Sequence, residues 1–352
     1  MISTQSPSEA RSDSCAGFSI VELMVALLLL GVITSQLFVV LNTQQKAYSD
    51  QNDKIDVQDT TRRALDLITQ DTRNAGIMID RHLAIATRDG DVDAPDRLCL
   101  SASDYLDLPD PAGSNLPGSS NAKWGKVTNR LPGVTVTGIN GQNVDLNSLN
   151  VDAGEPLASA SLVDFFVGDG VIIADATTGR SYCGRVEAVN GTQLVLENDP
   201  GFPNAQQTMN PFTGNVQAVP AIVYDIDVQA GPPQVFVLRR NGFELSRVIE
   251  DLQVEFWVDI SIDGLVDEPA EWPLHTLNQG VPIPTDRVRR VRISLVGRSD
   301  SAESDTGPAR FKRPTAGNRN PQTAPDNFKR QLFTASVLPR NMLQTIPGQA
   351  VP

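Results

Sequence analysis

Histidine is nearly absent from this chain: His82 and His275 are the only two in 352 residues, and they stand in unrelated contexts. There is no glycine-rich phosphate loop, no Cys/His spacing of a metal site and no nucleophile elbow, so the residue sets of the commonest enzyme mechanisms are missing and no enzyme and no cofactor are expected. Basic residues are also in deficit. Lys and Arg total 29 against 42 Asp and Glu, a net charge of −13, which argues against nucleic acid and against anionic lipid headgroups. Aromatic residues make up 5%, while Gly (26) and Pro (24) are plentiful, a composition that points to a loop-rich β architecture. Only three cysteines occur. Cys15 lies before the main hydrophobic run, and no apolar stretch precedes it that would make it a lipoprotein anchor. Cys99 and Cys183 form an even pair once the first seventeen residues are set aside; they could close a disulfide in an oxidising compartment or remain two buried thiols, and spacing leaves both open.

What is there begins at Gly17-Phe18-Ser19-Ile20-Val21-Glu22, the start of an apolar run that reaches Leu41. As a helix, Phe18 to Leu41 spans about 36 Å, enough to cross a hydrocarbon core of about 30 Å. No Ala-x-Ala site follows it, so cleavage is expected before the run rather than after it. Glu22 is the one charge within it. A carboxylate in hydrocarbon costs about 2.5–3.5 kcal/mol on insertion scales, so it calls for a partner. From Asn42 to Ile79 there is no Pro, and Gly76 is the only Gly; Leu65, Ile68, Thr72, Ala75 and Ile79 recur at helical spacing along one narrow face. A single helix over 18–79 would be about 93 Å long.

Downstream, short β-prone runs alternate with turn signals. Candidate strands are Leu98–Ser101, Val134–Thr137, Val171–Ala174, Tyr182–Val189, Leu194–Leu196, Ala221–Asp227, Gln234–Arg239, Leu245–Ile260, Arg287–Leu295 and Leu332–Leu338, with Asn190-Gly191 as a hairpin turn. Residues 107–125 and Pro200–Pro220 read as loops and 299–328 as a mobile loop. Arg290 and Arg292 should line a solvated sheet face. Two acidic groups, Asp89, Asp91, Asp93, Asp96 and Asp259, Asp263, Asp267, lack the glycine and terminal glutamate of an EF-hand, so acidic turns rather than a calcium or other metal site are expected.

The N terminus resembles that of type IV pilins and pseudopilins, with the signal Gly-Phe-x-x-x-Glu. The resemblance implies that prepilin peptidase cuts between Gly17 and Phe18, that Phe18 is then N-methylated, and that Glu22 pairs with the Phe18 amino group of a neighbouring subunit during assembly. The leader holds Arg11 beside Glu9 and Asp13 and so lacks the family's basic excess. Further likeness to PilW-like minor pilins lies in Thr69–Ile77 and Ala94-Pro95-Asp96-Arg97-Leu98, and Phe333–Asn341 resembles a segment common to that group and the J-type pseudopilins of type II secretion. Val248–Phe256 and Arg290–Leu295 likewise resemble segments shared by the PilW-like group and the J-type pseudopilins.

The implied fold is α+β and type IV pilin-like: a leader over 1–17, a spine helix over 18–79 with 18–41 crossing the membrane, and a globular β-domain over 80–352 with a small β-subdomain inserted at 120–215. The implied role is a minor pilin, a structural subunit that helps initiate pilus assembly. It would be held once through the bacterial inner membrane with its head in the periplasm, and later reach the cell surface. Its partners would be other minor and major pilins, prepilin peptidase and the inner-membrane assembly platform. A J-type pseudopilin is the alternative within the family; an anchored extracytoplasmic binding domain or adhesin is the alternative outside it.

Overall fold

The computed structural model describes residues 19–77, 79–88, 90, 94–101, 133–149, 164–177, 181–197, 215–229, 231, 234–259, 287–299, 310–317, 319, 322 and 325–339. Gly17, Phe18, Cys15 and the 107–125 loop lie outside them. One helix, α1 (Ile20–Asn74), opens the chain and belongs to two compact units, Met1–Asn52 and Asp53–Pro352. The helix stops short of the sequence pattern, which runs to Ile79. Gly76 adopts φ 80°, a left-handed conformation that ends helices readily, and its N–H donates to the Ser101 carbonyl at 2.8 Å. Ala75 and Ile79 are buried all the same.

In the second unit the described strands are β1 (Ile85–Arg88), β2 (Arg97–Leu100), β3 (Val134–Asn140), β4 (Asn143–Leu146), β5 (Gly170–Asp175), β6 (Ser181–Asn190), β7 (Gln193–Leu196), β8 (Val216–Gln229), β9 (Val235–Arg240), β10 (Phe243–Ser246), β11 (Ile249–Val258), β12 (Val288–Arg298) and β13 (Arg330–Val337). All of their pairings are antiparallel, and the fold is α+β. Two sheets result. One is the three-stranded β11–β12–β13; the other has ten strands and is organised by β8.

Strand β8 changes partners along its length. Its first half, Val216–Ala221, lies between β5 and β3, and the order β8–β3–β4–β7–β6–β5–β8 closes a six-stranded ring around Val144, Leu146, Phe165, Val171, Ile173, Val186, Leu194 and Leu196. Its second half pairs with β2 and β9 in an open sheet. The expected loop up to Pro220 is corrected here: β8 already runs from Val216. A proline fits because residue 220 falls between Ala218, paired with β3, and Ile222, paired with β2, where that edge has no ladder partner. Ser101 Oγ fills this gap with a bond to the Pro220 carbonyl at 2.7 Å. On the opposite edge Asn241, at φ 50°, exchanges two bonds with Val223, one through its backbone N–H and one through Oδ1.

The main core lies where the downstream half of α1 meets the sheets. Leu65, Ile68 and Ala64 pack with Leu252, Val254, Phe256, Val291, Ile293, Leu295, Leu98, Ile222 and Tyr224. Each fully buried aliphatic or aromatic side chain contributes roughly 1.5–3 kcal/mol. Gly297 on β12 lets the helix come close: a methyl group there would stand 2.5 Å from Thr61 Oγ1 and 2.7 Å from Val57 Cγ1. The stretch expected to be a mobile loop is corrected in its described part. Residues 310–317, 319 and 325–329 form a strap with bridges Phe311–Asp326 and Ala316–Arg319, anchored by Arg319 on the buried carboxylate of Asp251 at 2.5 Å.

Candidate functional site

The upstream helix is where the sequence-predicted assembly residues lie. Gly17 and Phe18 precede the described residues; Glu22 stands in the first turn, its N–H donating to the Ser19 carbonyl at 3.0 Å. Every residue from Ser19 to Asn52 is exposed, including Ile20, Leu23, Leu27, Leu30, Ile33, Leu37 and Leu41. The helix is long and apolar enough to cross a membrane. Two of its hydroxyls are turned inward on the backbone, Thr34 Oγ1 to the Leu30 carbonyl at 2.7 Å and Thr43 Oγ1 to the Val39 carbonyl at 2.8 Å. That satisfies them without water. Among the described residues the Glu22 carboxylate has no hydrogen-bond donor or counter-ion. From Ile20 to Leu41 the segment therefore presents an apolar cylinder with one acid near its start, a surface that only lipid or other apolar helices cover favourably.

The head is held by groups that sequence patterning does not reveal. Asp71, near the helix end, accepts from Tyr224 Oη at 2.5 Å and from Arg240 Nε at 3.1 Å. Burial, reinforced by Asp71, pushes the Tyr224 hydroxyl far above the usual tyrosine range. Burial works against the Arg240 charge, but Tyr224 and Asp71 outweigh it and hold the guanidinium more firmly protonated. Asp169, on the turn before β5, is pushed up to about 6 by burial, with Arg240 partly opposing. On the other face of the open sheet, Asp225 Oδ2 receives Arg239 at 3.0 Å, Arg185 at 3.7 Å and Arg97 at 3.8 Å, joining β2, β6, β8 and β9. Cys99 on β2 and Cys183 on β6 are joined by a disulfide, with Cα atoms 5.5 Å apart.

The acidic clusters separate into other duties. Asp96 N–H donates to the Leu252 carbonyl and its Oδ2 accepts from Val254 N–H, both at 2.8 Å, so this residue caps the edge of β11. Asp259 holds Arg289 at 2.7 Å. Asp89, Asp91, Asp93, Asp263, Asp267 and His275 lie outside the described residues. His82 shares a bond with Gln217 at 2.8 Å. Among the described residues no three His, Cys, Asp or Glu side chains converge as a metal site. Arg290 is exposed, but Arg292 is half-buried, paired with Glu255 and stacked on Trp257, so the basic strand is a partly covered face rather than a fully solvated one. The signal that could have found the buried network is the alternation in Tyr224-Asp225-Ile226-Asp227, with carboxylates set inside an otherwise apolar strand.

Compared with known families, residues 13–35 match the prokaryotic N-terminal methylation motif. No curated protein and no solved structure matches the chain. The motif, carried by type IV pilin-like prepilins, supports a pilin- or pseudopilin-type protein with an N-terminal membrane anchor and assembly with pilus-type components.

Proposed function

We propose that this chain is a minor pilin of the PilW-like kind, a structural subunit that helps initiate assembly of a type IV pilus. The observation that carries the reading is the lone carboxylate of Glu22, five positions after Gly17, on a helix whose apolar surface its own chain leaves uncovered. Prepilin peptidase hydrolyses the Gly17–Phe18 bond, freeing the Phe18 amine, which is then N-methylated. That amine, positive and displaced into an apolar bundle, is the counter-ion Glu22 lacks, and a neighbouring subunit supplies it. Before assembly the helix holds the protein in the inner membrane with its head in the periplasm; the Cys99–Cys183 bond favours that orientation, because such bonds persist in oxidising compartments. The partners are other minor and major pilins and the assembly platform. A J-type pseudopilin remains the second reading, because the sequence of β11 resembles a segment shared by both groups, and the neighbouring genes separate the two. The test is intact mass and N-terminal sequencing of the protein from its native membrane. A chain starting at methylated Phe18 is the expected result; a retained Met1, or a start beyond Leu41, overturns the reading.

A further inference from the structure

Three Asn-Gly dipeptides occur in the chain, at 140–141, 190–191 and 241–242, and each stands at the tip of a β-hairpin. This dipeptide carries a chemistry of its own. The backbone nitrogen of a glycine has no Cβ beside it and can reach the carboxamide carbon of the preceding asparagine. Whether it does so depends on how freely that carboxamide turns, and here the three tips differ.

Asn140 and Asn190 are the last residues of β3 and β6, and both are exposed. Among the described residues neither carboxamide takes part in a hydrogen bond. Gly141 and Gly191 follow at φ 59° and 61°. Apart from chain neighbours, no atom lies within 4 Å of the place that a Cβ on either would take. Asn241 is held instead. It lies inside its turn at φ 50°, its N–H donating to the Val223 carbonyl at 2.9 Å and its Oδ1 accepting from the Val223 N–H at 2.8 Å. Gly242 is crowded too: a methyl group there would stand 2.7 Å from Arg185 Nη2.

We infer that Asn140 and Asn190 are sites of spontaneous deamidation, a reaction the fold denies to Asn241. The glycine nitrogen gives up its proton and bonds to the asparagine Cγ, closing a cyclic succinimide. The Cγ–Nδ2 bond breaks, and ammonia leaves with that proton. Water then opens the ring, at Cγ to give aspartate or at the main-chain carbonyl to give isoaspartate. Water is the only co-reactant, so the inference stands apart from the pilus reading. At Asn241 the carboxamide must first give up its bond to Val223, and the backbone cannot turn without losing the second. The products bear on the ring of strands, because each adds a negative charge at a hairpin tip. Isoaspartate also lengthens the main chain within the last rung, Asn140–Asn143 or Asn190–Gln193.

The experiment incubates the full chain in detergent at mildly alkaline pH, once folded and once in concentrated urea with the disulfide reduced. Peptide mapping follows asparagine, aspartate and isoaspartate at the three positions. In the folded protein both products should build up at 140 and at 190 at least about tenfold faster than at 241, the least that loss of the Val223 bonds implies. In urea the three rates should converge. An Asn140 or Asn190 that converts no faster than Asn241 in the folded chain overturns the inference. A lag of Asn241 that persists in urea overturns it as well, because local sequence rather than the fold would then set the rate.

Discussion

The two halves of α1 are one uninterrupted helix with opposite relations to their own chain. From Ser19 to Asn52 no residue is covered, whereas Val57, Thr61, Ala64, Leu65, Ile68 and Thr72 are buried against the sheets. The two halves differ in how many apolar side chains they carry and in how these are arranged. The downstream half confines them to a stripe, which a sheet can cover from one side. From Ile20 to Leu41 the upstream half is apolar nearly all round, and one sheet face cannot cover a cylinder. The chain thus buries only what a single domain can bury and leaves the rest for lipid or for other subunits. On the proposed reading Glu22 belongs to the uncovered half because a neighbouring subunit supplies its counter-ion.

The comparison breaks most sharply at Glu22. Glu22→Ala should leave melting of the head unchanged yet cut incorporation into fibres by more than about a hundredfold, because the neighbour's Phe18 amine would then be buried unpaired at a cost of about 3–5 kcal/mol. Quantitative immunoblotting of sheared pili against total protein reads this directly, and normal incorporation would show that the uncovered half is a mere anchor. The covered half is sensitive to different changes. Replacing Cys99 and Cys183 together with Ser should lower head stability by about 2–5 kcal/mol without touching the N-terminal helix, since the bond spans a sequence separation of 84. Gly297→Val should cost about 1–3 kcal/mol by driving β12 into Val57 and Thr61. Urea melts of the full chain in detergent measure both, and a Gly297→Val protein as stable as the parent would mean the helix is not seated where the structure places it.

Much of this contrast is legible in the sequence. The uncovered half announces itself through its unbroken apolar run, and the covered half through the spacing of Leu65, Ile68 and Thr72, because both rest on local periodicity. The Asn190-Gly191 hairpin and the edges of β5, β6 and β7, each to within one residue, follow from turn chemistry and alternation, while β12 runs three residues past the expected Leu295. What escaped depends on contacts distant in sequence. Strand β1 (Ile85–Arg88) and β4 (Asn143–Leu146) are too short to show a period. Pro220 reads as a loop residue until β8 is seen to change partners there. Asp96 reads as one of several turn acids, although its work is to cap β11, more than 150 residues away. Asp71 looks like solvent-facing helix polarity until Tyr224 and Arg240 are brought beside it.

The mildest test concerns how firmly Arg240 grips the covered half. Asp169 sits beside that arginine, and burial raises its carboxyl from 3.8 in the free side chain to about 6 in the folded protein. The folded chain therefore binds this proton more tightly than the unfolded chain does. Stability contributed here is largest below pH 4 and declines as pH rises toward 6, above which the ionised, partly buried carboxylate is a standing cost. Asp169→Asn removes that cost, and partial exposure screens the gain to about 1 kcal/mol at pH 7.5. Melts of parent and variant at pH 5 and pH 7.5 should show a smaller pH difference for the variant, every other titrating group being common to both. An unchanged difference would mean that Arg240 neutralises Asp169 as well as Asp71, in which case the arginine ties the β5 turn and the helix end together and the covered half is held more tightly than its apolar stripe alone accounts for.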